Sequence, residues 1–208
     1  VSIYDAADKA IRAMNRQNLK EFNKLKLAKW DELNVVRMVN KTYDDSVRMA
    51  ERRYYEIAFE AFIVAMLEAK VANWDATRMA EDTITNDWIL DMLEEVDPVT
   101  LYAFLPETER KKQRLIEALA VAHNRNAEID KALRYWTRQV GQYADNSVFR
   151  ARLEAFRRAG IEQVIWVTQE DDRVCEDCEP LDGQIFDVDN VPDPPHYGCR
   201  CRLIPVLH

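Results

Sequence analysis

The chain has 208 residues, 48% apolar and 32% charged, with a formal net charge of −8. It can bury a sizeable core as one domain or two. No apolar run reaches the roughly 20 residues a membrane span needs, residues 1–20 lack the apolar stretch of a secretory signal, and the net negative charge argues against nucleic-acid binding by bulk attraction.

The chain opens on Val1 rather than Met, which reads as a processed product or a fragment of something longer. Charge is unevenly placed. Residues 170–208 hold ten acidic residues against Arg173, Arg200 and Arg202, so seven of the eight net negative charges sit in the tail. Residues 1–29 lean the other way, with Lys9, Arg12, Arg16, Lys20, Lys24, Lys26 and Lys29 against Asp5, Asp8 and Glu21. That strip is either the solvated face of an amphipathic helix or a docking strip for phosphate or a partner.

Apolar spacing predicts a first helix over 3–15 and a second over 19–39, the latter stepping through Phe22, Leu25, Trp30, Leu33 and Val36. Thr42-x-x-Asp45 resembles a capping box and is expected to open a third helix carrying Val47, Ala50, Tyr54, Ile57, Ala61 and Val64 on one face. Asn73 or Asp75 opens a fourth, running through Ile84, Trp88, Met92 and Leu93 to Asp97-Pro98, since the residue before proline is pushed out of the helical region. Residues 99–106 form a connector. A helix then starts near Glu107 and Glu109 and passes through Leu115 and Leu119, continuing or re-forming through Ile129, Trp136 and Val140. Gly141, the first glycine in the chain, marks a break, and a last helix over 147–159 ends at Gly160.

Beyond Gly160 the composition changes. Three of the four glycines and five of the seven prolines lie from there on. The β-branched run 161–168 reads as a strand, with 183–186 and 202–206 as its partners. A sheet this small needs outside support, and a metal ion can supply it.

All four cysteines lie in that tail: Cys175-x-x-Cys178, then His196-x-x-Cys199-x-Cys201. Thiolate and imidazole are preferred Zn²⁺ ligands, and two short ligand clusters joined by a loop are how small zinc knuckles are built. Four-coordinate zinc needs four of the five. Cys175, Cys178 and Cys199 are expected to serve, with His196 or Cys201 as the fourth. The surplus of ligands points to a closed structural site rather than a catalytic one with an open position. Disulfide pairing is a competing reading, although nothing suggests secretion. A thioredoxin-type redox pair is another, although Pro180-Leu181-Asp182-Gly183 does not look like a helix opening.

Asp171 and Asp172 are either solvated loop residues or carboxylates that orient a metal ligand. His123 is alone on a helix, and His208 is terminal. The chain has no glycine-rich phosphate loop, no G-x-S-x-G, no H-E-x-x-H and no zinc-deaminase pattern. Trp30, Trp74, Trp88, Trp136 and Trp166 are dispersed, as core or interface anchors are. No catalytic residue is assigned.

Taken together, Trp166-x-Thr168, Asp171-x-Arg173-x-Cys175-x-x-Cys178, Asp182-Gly183 and His196-x-x-Cys199-Arg200-Cys201 resemble the C-terminal signature of the phage Mu F-like minor head proteins, also called head morphogenesis proteins. The resemblance spans about residues 110–206 and is strongest from Trp166 onward. It implies a non-enzymatic, low-copy virion component, assembled in the bacterial host cytoplasm with the portal protein and other head proteins. Some members are thought to leave with the DNA. A metal-dependent hydrolase or nuclease acting during infection is the alternative.

The expected fold is mainly α, an elongated helical body with a small C-terminal α+β or β zinc-knuckle module. Residues 1–105 would form a helical region that contacts portal or DNA, the latter through the basic N-terminal strip. Residues 106–160 would lead into the family module, and residues 161–208 would form the knuckle.

Overall fold

The computed structural model describes residues 3–28, 31–98, 100–168, 176–196, 198–199 and 201–207. Among them are six α-helices: α1 (Ile3–Lys26), α2 (Glu32–Glu68), α3 (Asn73–Thr83), α4 (Asn86–Glu94), α5 (Phe104–Val121) and α6 (Arg125–Arg158). Three strands follow: β1 (Gln163–Val167), β2 (Ile185–Asp187) and β3 (Arg202–Pro205). The body is built on α1, α2 and α6, which pack against one another, while α3, α4 and α5 pack on α2. At 37 residues, α2 is about 55 Å long at 1.5 Å per residue.

Several expected boundaries are corrected. The break between 15 and 19 does not exist, because α1 runs through it. Met14, Asn18, Phe22 and Leu25 are all buried at helical spacing. Asn18 holds a core position by accepting a hydrogen bond from the Ser46 hydroxyl of α2 at 2.7 Å. The expected second helix is divided between α1, which ends at Lys26, and α2, and its part from Glu32 on is continuous with the expected third. Val39, Tyr43, Ser46, Ala50, Tyr54 and Ile57 continue a single buried face across the expected cap. Thr42 is buried within α2, and Asp45 pairs with Lys41 and Arg48 on its outer side. The true start is Asp31, whose carboxylate accepts from the Asn34 amide at 2.8 Å.

In contrast, the expected fourth helix is split. Thr85 accepts the Trp88 amide with its hydroxyl and so caps α4 separately from α3. Pro106 lies in the first turn of α5, where its missing N–H costs no bond. Gly141 sits buried inside α6, which is continuous from its Asn124 cap to Arg158. A single glycine costs a helix about 1 kcal/mol, too little to break one held by tertiary packing. Gly160 does end α6. At φ 72° it closes a Schellman turn, with Gly160 N–H on Arg157 O and Ile161 N–H on Phe156 O.

The core is aromatic where α1, α2, α5 and α6 meet. Phe22, Tyr43, Trp136, Phe104 and Tyr143 form a chain of ring contacts with centroids 4.9–5.5 Å apart. The connector between α4 and α5 is anchored by buried Asp97. Its carboxylate accepts from the Thr100 amide and from the Gln142 and Asn146 side chains of α6.

The sheet is antiparallel in the order β2-β1-β3. Val164, Trp166, Leu203 and Pro205 make its buried face. Trp166 packs against Phe149 of α6 and Phe186 of β2. Arg152, 2% exposed, is the polar joint between body and sheet. One guanidinium nitrogen donates to the Leu203 carbonyl at 2.7 Å and to Glu68 of α2 at 2.5 Å, and the group lies over the Phe156 ring. Arg152→Ala is expected to lower the unfolding free energy by about 1.5–3 kcal/mol, the range for hydrogen bonds to a charged group. Glu68→Gln should cost less, because Glu68 is 41% exposed and solvent screens it. Urea denaturation monitored by circular dichroism measures both.

Candidate metal centre

The tail folds back on itself around β1. Beyond the paired residues, the Trp166 amide donates to Gln184 O and the Gly183 amide to Trp166 O. Thr168 donates to the Asp182 carboxylate from its amide at 2.7 Å and from its hydroxyl at 2.9 Å. These two bonds, amide first, hold the Asp182 carboxyl below its ordinary pKa. Gly183 follows at φ 72°, a left-handed conformation that glycine adopts without strain. The Thr168–Asp182 clamp therefore ties the end of β1 to the segment that follows Cys178. A single 3-10 turn, Glu179–Leu181, follows Cys178, so this Cys-x-x-Cys does not open the α-helix a thioredoxin-type site requires.

Three of the expected ligands converge. The Cys178 sulfur lies 3.0 Å from His196 Nε2 and 3.7 Å from the Cys199 sulfur. The ligand atoms of Cys178, His196 and Cys199 all lie within 4.8 Å of one another. Cys178 is buried, and His196, Cys199 and Cys201 are half-buried. A tetrahedron with metal–sulfur bonds of about 2.3 Å has edges of about 3.8 Å, so the sulfur–sulfur spacing fits zinc. The sulfur–nitrogen distance is shorter than the corresponding edge, so the imidazole must draw back by about 0.5 Å to admit an ion. Cys178 and Cys199 are both free thiols here, since their sulfurs lie well beyond the disulfide length of about 2.05 Å.

Cys201 borders the same cluster. Bonds from Cys199 first, then from Cys178 and the Trp166 indole, outweigh burial and lower its pKa to about 6. The Cys199 thiol is pushed up instead, first by donating to Cys201 and then by burial. Cys201 is thus the first of the two to become a thiolate, the form that binds metal. Cys175, Asp171, Asp172 and Arg173 lie outside the described residues, as do Trp30, Arg200 and His208.

The sequence reading missed the contribution of α6. Gln142, Asp145 and Asn146 line a small cavity together with Trp166, His196, Cys199 and Cys201. Burial first, then the Asp8 carboxylate, raises the Asp145 pKa to about 7. The legible signal was polar residues at i, i+3 and i+4 on an otherwise apolar stretch of helix.

Residues 113–204 match the model of the family described as Phage Mu protein F like protein. The match begins inside α5, covers all of α6 and ends in β3. No curated protein and no solved structure matches the chain.

The folded state holds Asp182 ionised through bonds that unfolding breaks. Its stabilisation is complete above the unfolded carboxylate pKa of about 4. It is lost as pH falls from there through the lowered folded value. Asp182→Asn should therefore destabilise the protein at pH 7, and the difference from wild type should shrink below about pH 4. Denaturant titrations at both pH values measure the effect.

Proposed function

We propose that this chain, whose residues 113–204 are a Phage Mu F-like module, is a minor head protein of a tailed bacteriophage. It acts in head morphogenesis at the portal vertex and is carried in the virion. The observation that carries this reading is the family match together with the convergence of Cys178, His196 and Cys199 in the matched segment. The role is structural. The centre is a zinc knuckle drawn from Cys175, Cys178, His196, Cys199 and Cys201, with the triad as three ligands and Cys175 or Cys201 as the fourth. When bound, the metal supplies a cross-link between two loops of the tail. Residues 161–208 form the knuckle, residues 106–160 its helical support, and residues 1–105 the part that docks on portal or neighbouring head proteins.

Two surface features support docking by the body. Leu27 and Leu33 flank the α1–α2 turn at 87% and 86% exposed, and Val121 ends α5 at 81%. Exposed apolar side chains of this size suit an interface with other head proteins. In addition, Lys9, Arg12, Arg16, Lys20 and Lys24 are exposed at helical spacing along α1, and this stripe is the part proposed to meet packaged DNA. No helix among the described residues is long and apolar enough to cross a membrane.

Purified under reducing conditions, the protein should carry one zinc per chain by elemental analysis. Cys178→Ser or Cys199→Ser should lose the metal while keeping the helical circular dichroism signal, since α1 to α5 lie outside the tail. Metal-free wild type would overturn the zinc reading. The cognate portal protein should co-sediment with the chain, and failure to do so would overturn the assembly reading. A salt-sensitive mobility shift on duplex DNA should weaken when Lys9, Arg16 and Lys20 are changed to Glu.

A further inference from the structure

The three-stranded sheet has two faces, and only one meets the body. Val164, Trp166, Leu203 and Pro205 are buried on the inner side. By strand alternation the residues between them point outward. The register places Ile165 of β1 directly between Ile185 of β2 and Ile204 of β3, so a row of three isoleucines crosses the outer face. Ile185 is 56% exposed, and Ile165, Val167 and Ile204 are half-buried. An antiparallel sheet packed on one side ordinarily turns polar residues to water on the other. A contiguous apolar face in that position marks an interaction surface.

Two ions flank the row at opposite corners. Asp187, on the β2 edge, stands opposite Gln163, and Arg202, on the β3 edge, stands opposite Val167. Ile165 is the midpoint between them. Both ions are exposed. Asp187 meets the Gln163 side-chain amide at 3.4 Å, and neither ion forms a salt bridge among the described residues. Strands about 4.8 Å apart that rise about 3.4 Å per residue set the two Cα atoms about 17 Å apart. That is too far for the pair to close within one chain.

We propose that the outer face of the sheet docks on the same face of a second copy, across a two-fold axis that passes beside Ile165. The corner ions select this occupant. A two-fold rotation that exchanges the corners sets Asp187 of each copy on Arg202 of the other, twice per dimer, with the isoleucine rows stacked between. The strands of the two sheets then cross steeply, toward the orthogonal mode of sheet packing. Three strands of up to five residues cover about 250 Å² on each copy, well below the roughly 800 Å² per partner of a stable complex. The dimer is therefore weak and reversible, with a dissociation constant of about 10 µM to 1 mM. The inference rests on the sheet and its corner ions, independently of the metal and head-protein readings.

The test is sedimentation equilibrium on the full chain in reducing buffer, from about 1 µM to about 1 mM. Wild type should dimerise, and more weakly as salt rises. Asp187→Lys and Arg202→Glu each set like charges against each other, so each variant alone should lose at least about tenfold in self-affinity. Mixed in equal amounts, the two variants should form a heterodimer, because every corner contact again joins opposite charges. The double variant Asp187→Lys/Arg202→Glu should regain self-association for the same reason. Ile185→Ser should weaken the dimer about tenfold or more and leave the thermal midpoint of the monomer unchanged. Should either charge reversal fail to fold, Ile185→Ser and Arg202→Gln carry the test. Wild type that stays monomeric up to about 1 mM would overturn the proposal. So would self-association that none of these variants weakens, or folded reversal variants that do not pair when mixed.

Discussion

The tail depends on Trp166. Its sheet has strands of five, three and four residues, too few to bury the apolar surface that independent folding requires. Trp166 resolves this by facing two ways. Its ring lies against Phe149 of α6 and Phe186 of β2. Its backbone pairs with Leu203 on one side and extends the β1–β2 ladder to Gln184 and Gly183 on the other. Its indole nitrogen faces the Cys201 sulfur. One residue therefore ties body, sheet and thiol cluster together, and the strands fold as a layer on α6 rather than as a free unit.

The helices were legible in kind but not in extent. Period alone identifies the buried face of α2, yet Thr42-x-x-Asp45 looks like a start because its local chemistry suits a cap. What overrides it is Tyr43 and Val39 continuing the buried face backward. Asn18 hides the continuity of α1 in a similar way. A polar residue at a core position reads as a break until its partner Ser46, on another helix, is known. Thr85 is the reverse case, a real cap inside an apparently continuous apolar pattern. Each of these outcomes turns on a contact or a local bond that a periodic reading of one segment does not weigh.

The site shows the same division. Cysteine and histidine spacing is local, so Cys178, His196 and Cys199 could be grouped from the chain alone. Thr168 and Asp182 were visible only as letters of a family signature. The structure shows them to be a clamp between the end of β1 and the segment after Cys178, with Gly183 supplying the backbone turn beside it. Arg152 and Asp145 gave no such sign. Both lie on α6, whose long-range partners in β3 and the cysteine loop are set by the tertiary fold.

Charge explains which face of the tail meets the body. The last turn of α6 carries Arg157 and Arg158, where the negative end of the helix dipole favours cations. Arg157 pairs with Asp189 at 2.9 Å, and Arg152 caps the Leu203 carbonyl further back. A net-negative tail is thus drawn onto the basic flank of α6, and its uncharged face, Val164, Trp166 and Leu203, is buried in the process. The tail still holds seven of the chain's eight net negative charges, a balance that repels a polyanion. The contact with DNA proposed above is therefore assigned to the body, where the α1 cations lie exposed.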